Sequence, residues 1–131
     1  MKGALLLAVG NLRLAVPMAA VEAVVPWEPP LELPHAQPWL AGLYPRLGEA
    51  VPVLNPARVL GAAEEAPEVL LLLRLDGRPL AIPGREPRRS GGLVPAGEPS
   101  DGSGNGGRRT GDGGEAGEMD VEALYSACGL R

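Results

Sequence analysis

Residues able to do chemistry are scarce in this chain. It has one histidine, His35, and one cysteine, Cys128. A Ser-His-Asp arrangement would need His35 as its base. His35 sits in Leu33-Pro34-His35-Ala36-Gln37-Pro38, and the flanking prolines predict an exposed loop. The serines are Ser90, Ser100, Ser103 and Ser126, and none lies in a G-x-S-x-G turn. Gly102, Gly104 and Gly107 spell G-x-G-x-x-G, but without the strand before and the helix after that a dinucleotide site needs. No Lys follows a glycine pair, so there is no phosphate-binding loop of the P-loop kind. Glu64-Glu65 lies in a polar connection and reads as solvated. One Cys excludes a disulfide framework and a Cys-rich zinc cluster, and one His excludes a multi-His site. The expectation is a protein that is not an enzyme, with no catalytic residues, no metal and no cofactor.

The elements that would position a site come next. The chain has 131 residues, the size of one ordinary domain, with 19 Gly and 15 Pro. There is no Phe and there are two Trp and two Tyr, so Leu, Val and Ala must build the core. The formal charge of -4 argues against non-specific nucleic-acid binding, which needs a basic face. Lys2 followed by Gly3–Val9 looks like the start of a signal peptide, but Gly10-Asn11 and Arg13 interrupt the apolar run. No stretch reaches the ~18 apolar residues of a membrane helix, so no direct membrane insertion is expected. A cytoplasmic protein is expected, and a lone Cys fits a reducing compartment.

Composition divides the chain in three. Residues 1–89 are apolar and Pro-punctuated. Residues 90–118 contain 11 Gly and too few apolar side chains to offset ordering entropy, so a flexible linker is expected there. Residues 119–131 read as one helix, with Val121, Leu124, Tyr125 and Cys128 on a single stripe. Asp120 suits its N-cap and Gly129 its end. So short a helix must dock, on the 1–89 body or on a partner. Docked on its own body, it makes Cys128 a buried apolar residue rather than a nucleophile.

The body reads as β-rich. Gly10-Asn11 between Leu5–Val9 and Leu12–Val16 signals a hairpin, and Asp76-Gly77 between Val69–Leu75 and Arg78–Ile82 signals a second. Met18–Val25 is expected to start helical before entering a strand. Trp39–Tyr44 and Ala50–Leu54 are strands around a Leu47-Gly48 turn, and Pro56–Leu60 is one helical turn stopped by Gly61. Leu5–Pro17 laid on Leu71–Pro83 matches at six of thirteen positions. Such a repeat implies two small β units, each opening with the same hairpin and burying its face on the other.

In this order the features resemble CheW-like domains. Leu12–Pro26 is similar to the family's opening, with Val21-Glu22-Ala23-Val24-Val25 in place of V-x-E-V-V. Leu33–Leu43 resembles its "LPxxPxxxxG" stretch, and Leu47–Asn55 its "RGxhhPVhDL". Glu68–Ile82 is similar to the next hairpin, and Asp120–Leu124 weakly matches the closing helix. The resemblance implies a mainly β fold: a pair of interlocked, small SH3-like β-barrels plus a short C-terminal helix. Strands expected late in the second barrel are missing, which predicts an intact first barrel and an incomplete second one with an open edge.

It also implies function. Members hold a chemotaxis-type histidine kinase against the cytoplasmic tip of chemoreceptors and perform no chemistry. The expected partners here are thus a chemoreceptor tip and the kinase's regulatory domain, met by Val21, Glu22, Val24, Arg46, Leu47 and Gly48. Trp27 and Trp39 serve as interface anchors or as core. Three departures bear on this. The family's Arg before the turn glycine is Leu47, with Arg46 one residue earlier. Its acid is Ala23, with Glu22 one residue earlier, and its Asp is Asn55. A one-residue shift turns a strand side chain to the other face, so the usual acid and Arg are expected to be missing from the receptor-facing groove. Alternatively, the chain is a degenerate CheW-like module that has lost kinase coupling and binds a single partner.

Overall fold

The computed structural model describes residues 3–90 and 117–130. Strands β1 (Ala4–Val9) and β2 (Leu12–Pro17) form the first hairpin, followed by a 3₁₀ turn, Met18–Ala20, and β3 (Val21–Pro26). Strands β4 (Leu40–Arg46) and β5 (Glu49–Leu54) form the second, then α1 (Pro56–Leu60). β6 (Val69–Leu75) and β7 (Arg78–Ser90) form the third, and β8 (Gly117–Glu118) leads into α2 (Val121–Ala127).

Local chemistry accounts for the joints. Each hairpin closes over two residues: Val9 faces Leu12, Arg46 faces Glu49, and Leu75 faces Arg78. Gly10 takes φ 57° at the first turn, while Asp76 and Gly77 take 52° and 79° at the third. Asn55 caps α1 by accepting from the amides of Ala57 (3.1 Å) and Arg58 (3.3 Å). Asp120 caps α2 through the amide of Ala123 at 3.1 Å.

One strand joins the two sheets. β7 pairs antiparallel with β6 from Arg78 to Gly84, then with β1 from Arg85 to Ser90. A side chain at Gly84 would place its Cβ 2.6 Å from Leu7 Cγ and 2.9 Å from the Ala8 carbonyl oxygen. Only glycine lets the strand cross there. One sheet is β3-β6-β7-β5-β4, five strands in all. The other is the far half of β7 with β1, β2 and β8.

Two apolar clusters fill these layers. The larger takes Leu5, Leu7, Val9, Leu14 and Val16 from the first hairpin and Leu71, Leu73, Leu80 and Ile82 from the third. Leu5, Leu7, Leu14 and Val16 fall on the same repeat positions as Leu71, Leu73, Leu80 and Ile82, so the two hairpins bury equivalent rows against each other. α2 adds Val121, Leu124, Tyr125 and Cys128 to the same cluster, so the helix docks on its own body. The smaller cluster, Val51, Val53, Leu70, Leu72 and Ala81, lies within the five-stranded sheet.

The first hairpin lies in the smaller sheet, and the five-stranded one starts at β3. The cause is the length of β7: it does not stop at Ile82 but continues to Ser90 and gives β1 its partner. The expected linker also ends early. Gly117 and Glu118 pair in parallel with Leu14 and Ala15, because the buried Met119 anchors them. Residues 91–116, including the G-x-G-x-x-G glycines, lie outside the described residues.

Candidate partner-binding surface

Charged side chains gather where the second and third hairpins come side by side. Strand alternation puts them there. Glu49 continues the inward row Val53-Val51, Arg74 continues Leu70-Leu72, and Arg46 follows Tyr44. They therefore stand over one end of the smaller core. Glu22 reaches them from β3 through a bulge: Val21 faces Leu73 and Ala23 faces Leu72, which leaves Glu22 as the extra residue.

Arg74 is the hub. Its Nη2 donates to Glu49 Oε1 at 2.6 Å and its Nη1 to Oε2 at 3.3 Å, a bidentate pair. Its Nε donates to Glu22 Oε1 at 2.9 Å, and Nη1 also reaches the Gly77 carbonyl at 2.9 Å. Arg46 Nη1 stands 3.8 Å from Glu22 Oε2. Two anions and two cations thus cancel within one cluster. The Arg74 hydrogen bond is the main reason the Glu49 carboxyl is held below its usual range. The partnering carboxylates in turn hold the Arg74 guanidinium more firmly protonated. The side chains are a quarter to two-fifths exposed, so the cluster orients groups more than it stabilises the fold.

The residues singled out in the sequence are distributed as follows. Glu22 and Arg46 meet. The expected loss of the acid and the Arg does not separate these two charges, because both are displaced by one residue and the bulge re-aims Glu22. Leu47 and Gly48 form the tip beside Arg46, with Leu47 87% exposed. Val24 is also exposed on β3, while Val21 is half-buried against the larger cluster. Sequence reasoning missed Arg74 and Glu49. A charge breaking the apolar run Val69–Leu75 was the available signal for Arg74.

Elsewhere, a cleft of about 470 Å³ is lined by Trp27, Val53, Leu54, Pro83 and Arg85 among others. Arg85 is held there by Glu65 at 2.7 Å. Trp27 packs partly against the smaller cluster and Trp39 against the larger, so both contribute to core. His35 is exposed in its loop and Cys128 is buried. Among the described residues, no helix is long and apolar enough to cross a membrane.

Comparison with known proteins bears on the family and the fold. The family model of the CheW-like domain matches residues 3–89. The chain belongs to the CheW-like domain family. The matched span begins one residue before β1 and ends at Arg89, one residue short of the end of β7. The crystal structure of the scaffolding protein TtCheW from Thermoanaerobacter tengcongensis is similar to this chain, with a TM-score of 0.60 and 12% identity. The match covers 68% of this chain and 63% of that one, so this CheW-like chain spans less than two thirds of that scaffold's length. At that identity the likeness speaks for the fold. No curated protein sequence matches.

Proposed function

We propose that this chain is an adaptor that joins the cytoplasmic tip of a chemoreceptor to the regulatory domain of a chemotaxis-type histidine kinase, working in the cytoplasm. The observation that carries the proposal is the fixed cluster of Glu22, Arg46, Glu49 and Arg74, next to the exposed hairpin tip at Leu47-Gly48. Exposed Val24 adds an apolar element on β3. Val21, Glu22, Val24, Arg46, Leu47 and Gly48 form the contact surface. A rigid scaffold presenting paired charges and apolar knobs suits recognition by touch, since little ordering entropy is left to lose on binding.

Titration of the chain against a receptor tip fragment and against the kinase regulatory domain tests this. Binding to both is expected, with Val24→Asp weakening at least one at least tenfold. Absence of binding to either at high micromolar concentration overturns the proposal. Among the described residues the smaller sheet holds only β1, β2, β8 and the far half of β7, which favours a second reading, a module that keeps one partner and no longer stimulates the kinase. A reconstituted phosphorylation assay separates the two.

A further inference from the structure

The fold builds the same turn twice with different residues. Asp76-Gly77 closes the third hairpin with φ of 52° and 79°, and Leu47-Gly48 closes the second with 50° and 79°. Asp tolerates the left-handed region, because its short polar side chain can bond locally. Leucine has no such compensation. It is also the most exposed large apolar residue among those described, at 87%. Neither turn chemistry nor core packing accounts for Leu47, since the chain makes the same turn with Asp and the side chain touches no core. A strained, exposed apolar residue points to a role outside the monomer.

The surroundings indicate what it meets. Arg46 and Glu49, which flank the turn, are both tied into the cluster around Glu22 and Arg74. The hairpin is therefore held in place behind its tip. The four charges are mutually paired and sum to zero, so the tip offers no net charge for recognition. What remains to be recognised is the leucine side chain.

Resting on the adaptor reading above, we propose that Leu47 is a specificity-determining anchor that enters an apolar socket on the protein partner. Burying one leucine side chain corresponds to roughly a 10- to 100-fold change in affinity. Leu47→Asn leaves the net charge unchanged and supplies a residue suited to this turn. It is expected to leave the melting temperature unchanged or higher, and to weaken binding to at least one of the receptor tip and the kinase regulatory domain by roughly tenfold or more. Leu47→Met, which stays apolar, is expected to retain binding. The ratio of wild-type to variant affinity is expected to be the same at ~0.05 M and ~0.5 M salt, because no charge is lost. A loss smaller than about fivefold for both partners overturns the proposal. So does a fall in melting temperature, which would make Leu47 a structural residue, or a ratio that collapses with salt. If the wild-type chain binds neither partner, the adaptor reading itself falls and takes the anchor with it.

Discussion

Replacing Tyr125 by Phe removes a single oxygen, and the structure allows its effect to be worked out. Tyr125 is fully buried, and its hydroxyl donates to the Arg78 carbonyl at 2.7 Å. Arg78 opens β7 directly after the Asp76-Gly77 turn, so this bond fastens α2 to the hairpin that carries Arg74. Losing one such hydrogen bond costs about 1 kcal/mol, and up to ~3 kcal/mol if the carbonyl finds no new donor. In a domain of this size each kcal/mol lowers Tm by roughly 3–6 °C. A second signature appears in alkali. Burial pushes the phenol from 10.0 up to about 12. Below pH 10 the folded and unfolded states both hold the proton, and its contribution is constant. Between pH 10 and about 12 the unfolded chain releases the proton while the native state keeps it, so stability falls with rising pH, at most by roughly 1 kcal/mol per pH unit. Burial also raises the Cys128 thiol, which adds a loss of the same sign from about pH 9 upward. The comparison is therefore made in a Cys128→Ala background. Urea unfolding followed by tryptophan fluorescence should show Tyr125→Phe less stable at pH 7, with a shallower decline above pH 10. Equal stability at pH 7, or equal alkaline slopes with and without the hydroxyl, would refute this account of how α2 is held.

Two further substitutions probe the site and the strand that joins the sheets. Arg74→Met frees Glu49, leaves Glu22 with Arg46 alone, and should weaken partner binding several-fold. Because Arg74 lowers the Glu49 pKa, their bond stabilises the fold above the carboxylate's ordinary 4.5 and is lost as pH falls below it. The stability gap between Arg74→Met and wild type should therefore shrink on acidification, and an identical gap in urea midpoints at pH 7 and pH 3 refutes the linkage. Gly84→Ala forces a Cβ against Leu7 and the Ala8 carbonyl, where the backbone cannot give way. Overpacking of this kind costs about 1–3 kcal/mol, and an unchanged urea midpoint would show that β7 has room to shift.

Local features were readable from the chain because local chemistry decides them. Gly10-Asn11 and Asp76-Gly77 reverse the chain where turn preferences place them, and Pro56 and Gly61 bracket α1. The stripe of α2 and the burial of Cys128 follow from helical spacing alone. Non-local pairing was less legible. Nothing in Arg85–Ser90, with its charges and Pro87, announces a strand, and it becomes one because β1 has an edge to fill. The bulge at Glu22 depends on how β3 lies along β6, so the meeting of Glu22 with Arg46 could not be foreseen from strand alternation. Arg74 was visible only as a charge in an apolar run, and its role depends on which hairpin lands beside it.

The sharing of β7 between two sheets also governs how the chain must assemble. Within this domain the hairpin made first carries the apolar row Leu5, Leu7 and Val9, and β1 finds its second neighbour only at Arg85–Ser90. Contacts so distant in sequence make for slow folding. Until the far end of the domain has emerged, that greasy N-terminal edge has no native cover and is open to stray pairing. A domain built this way should depend on chaperones during synthesis more than its modest size would suggest.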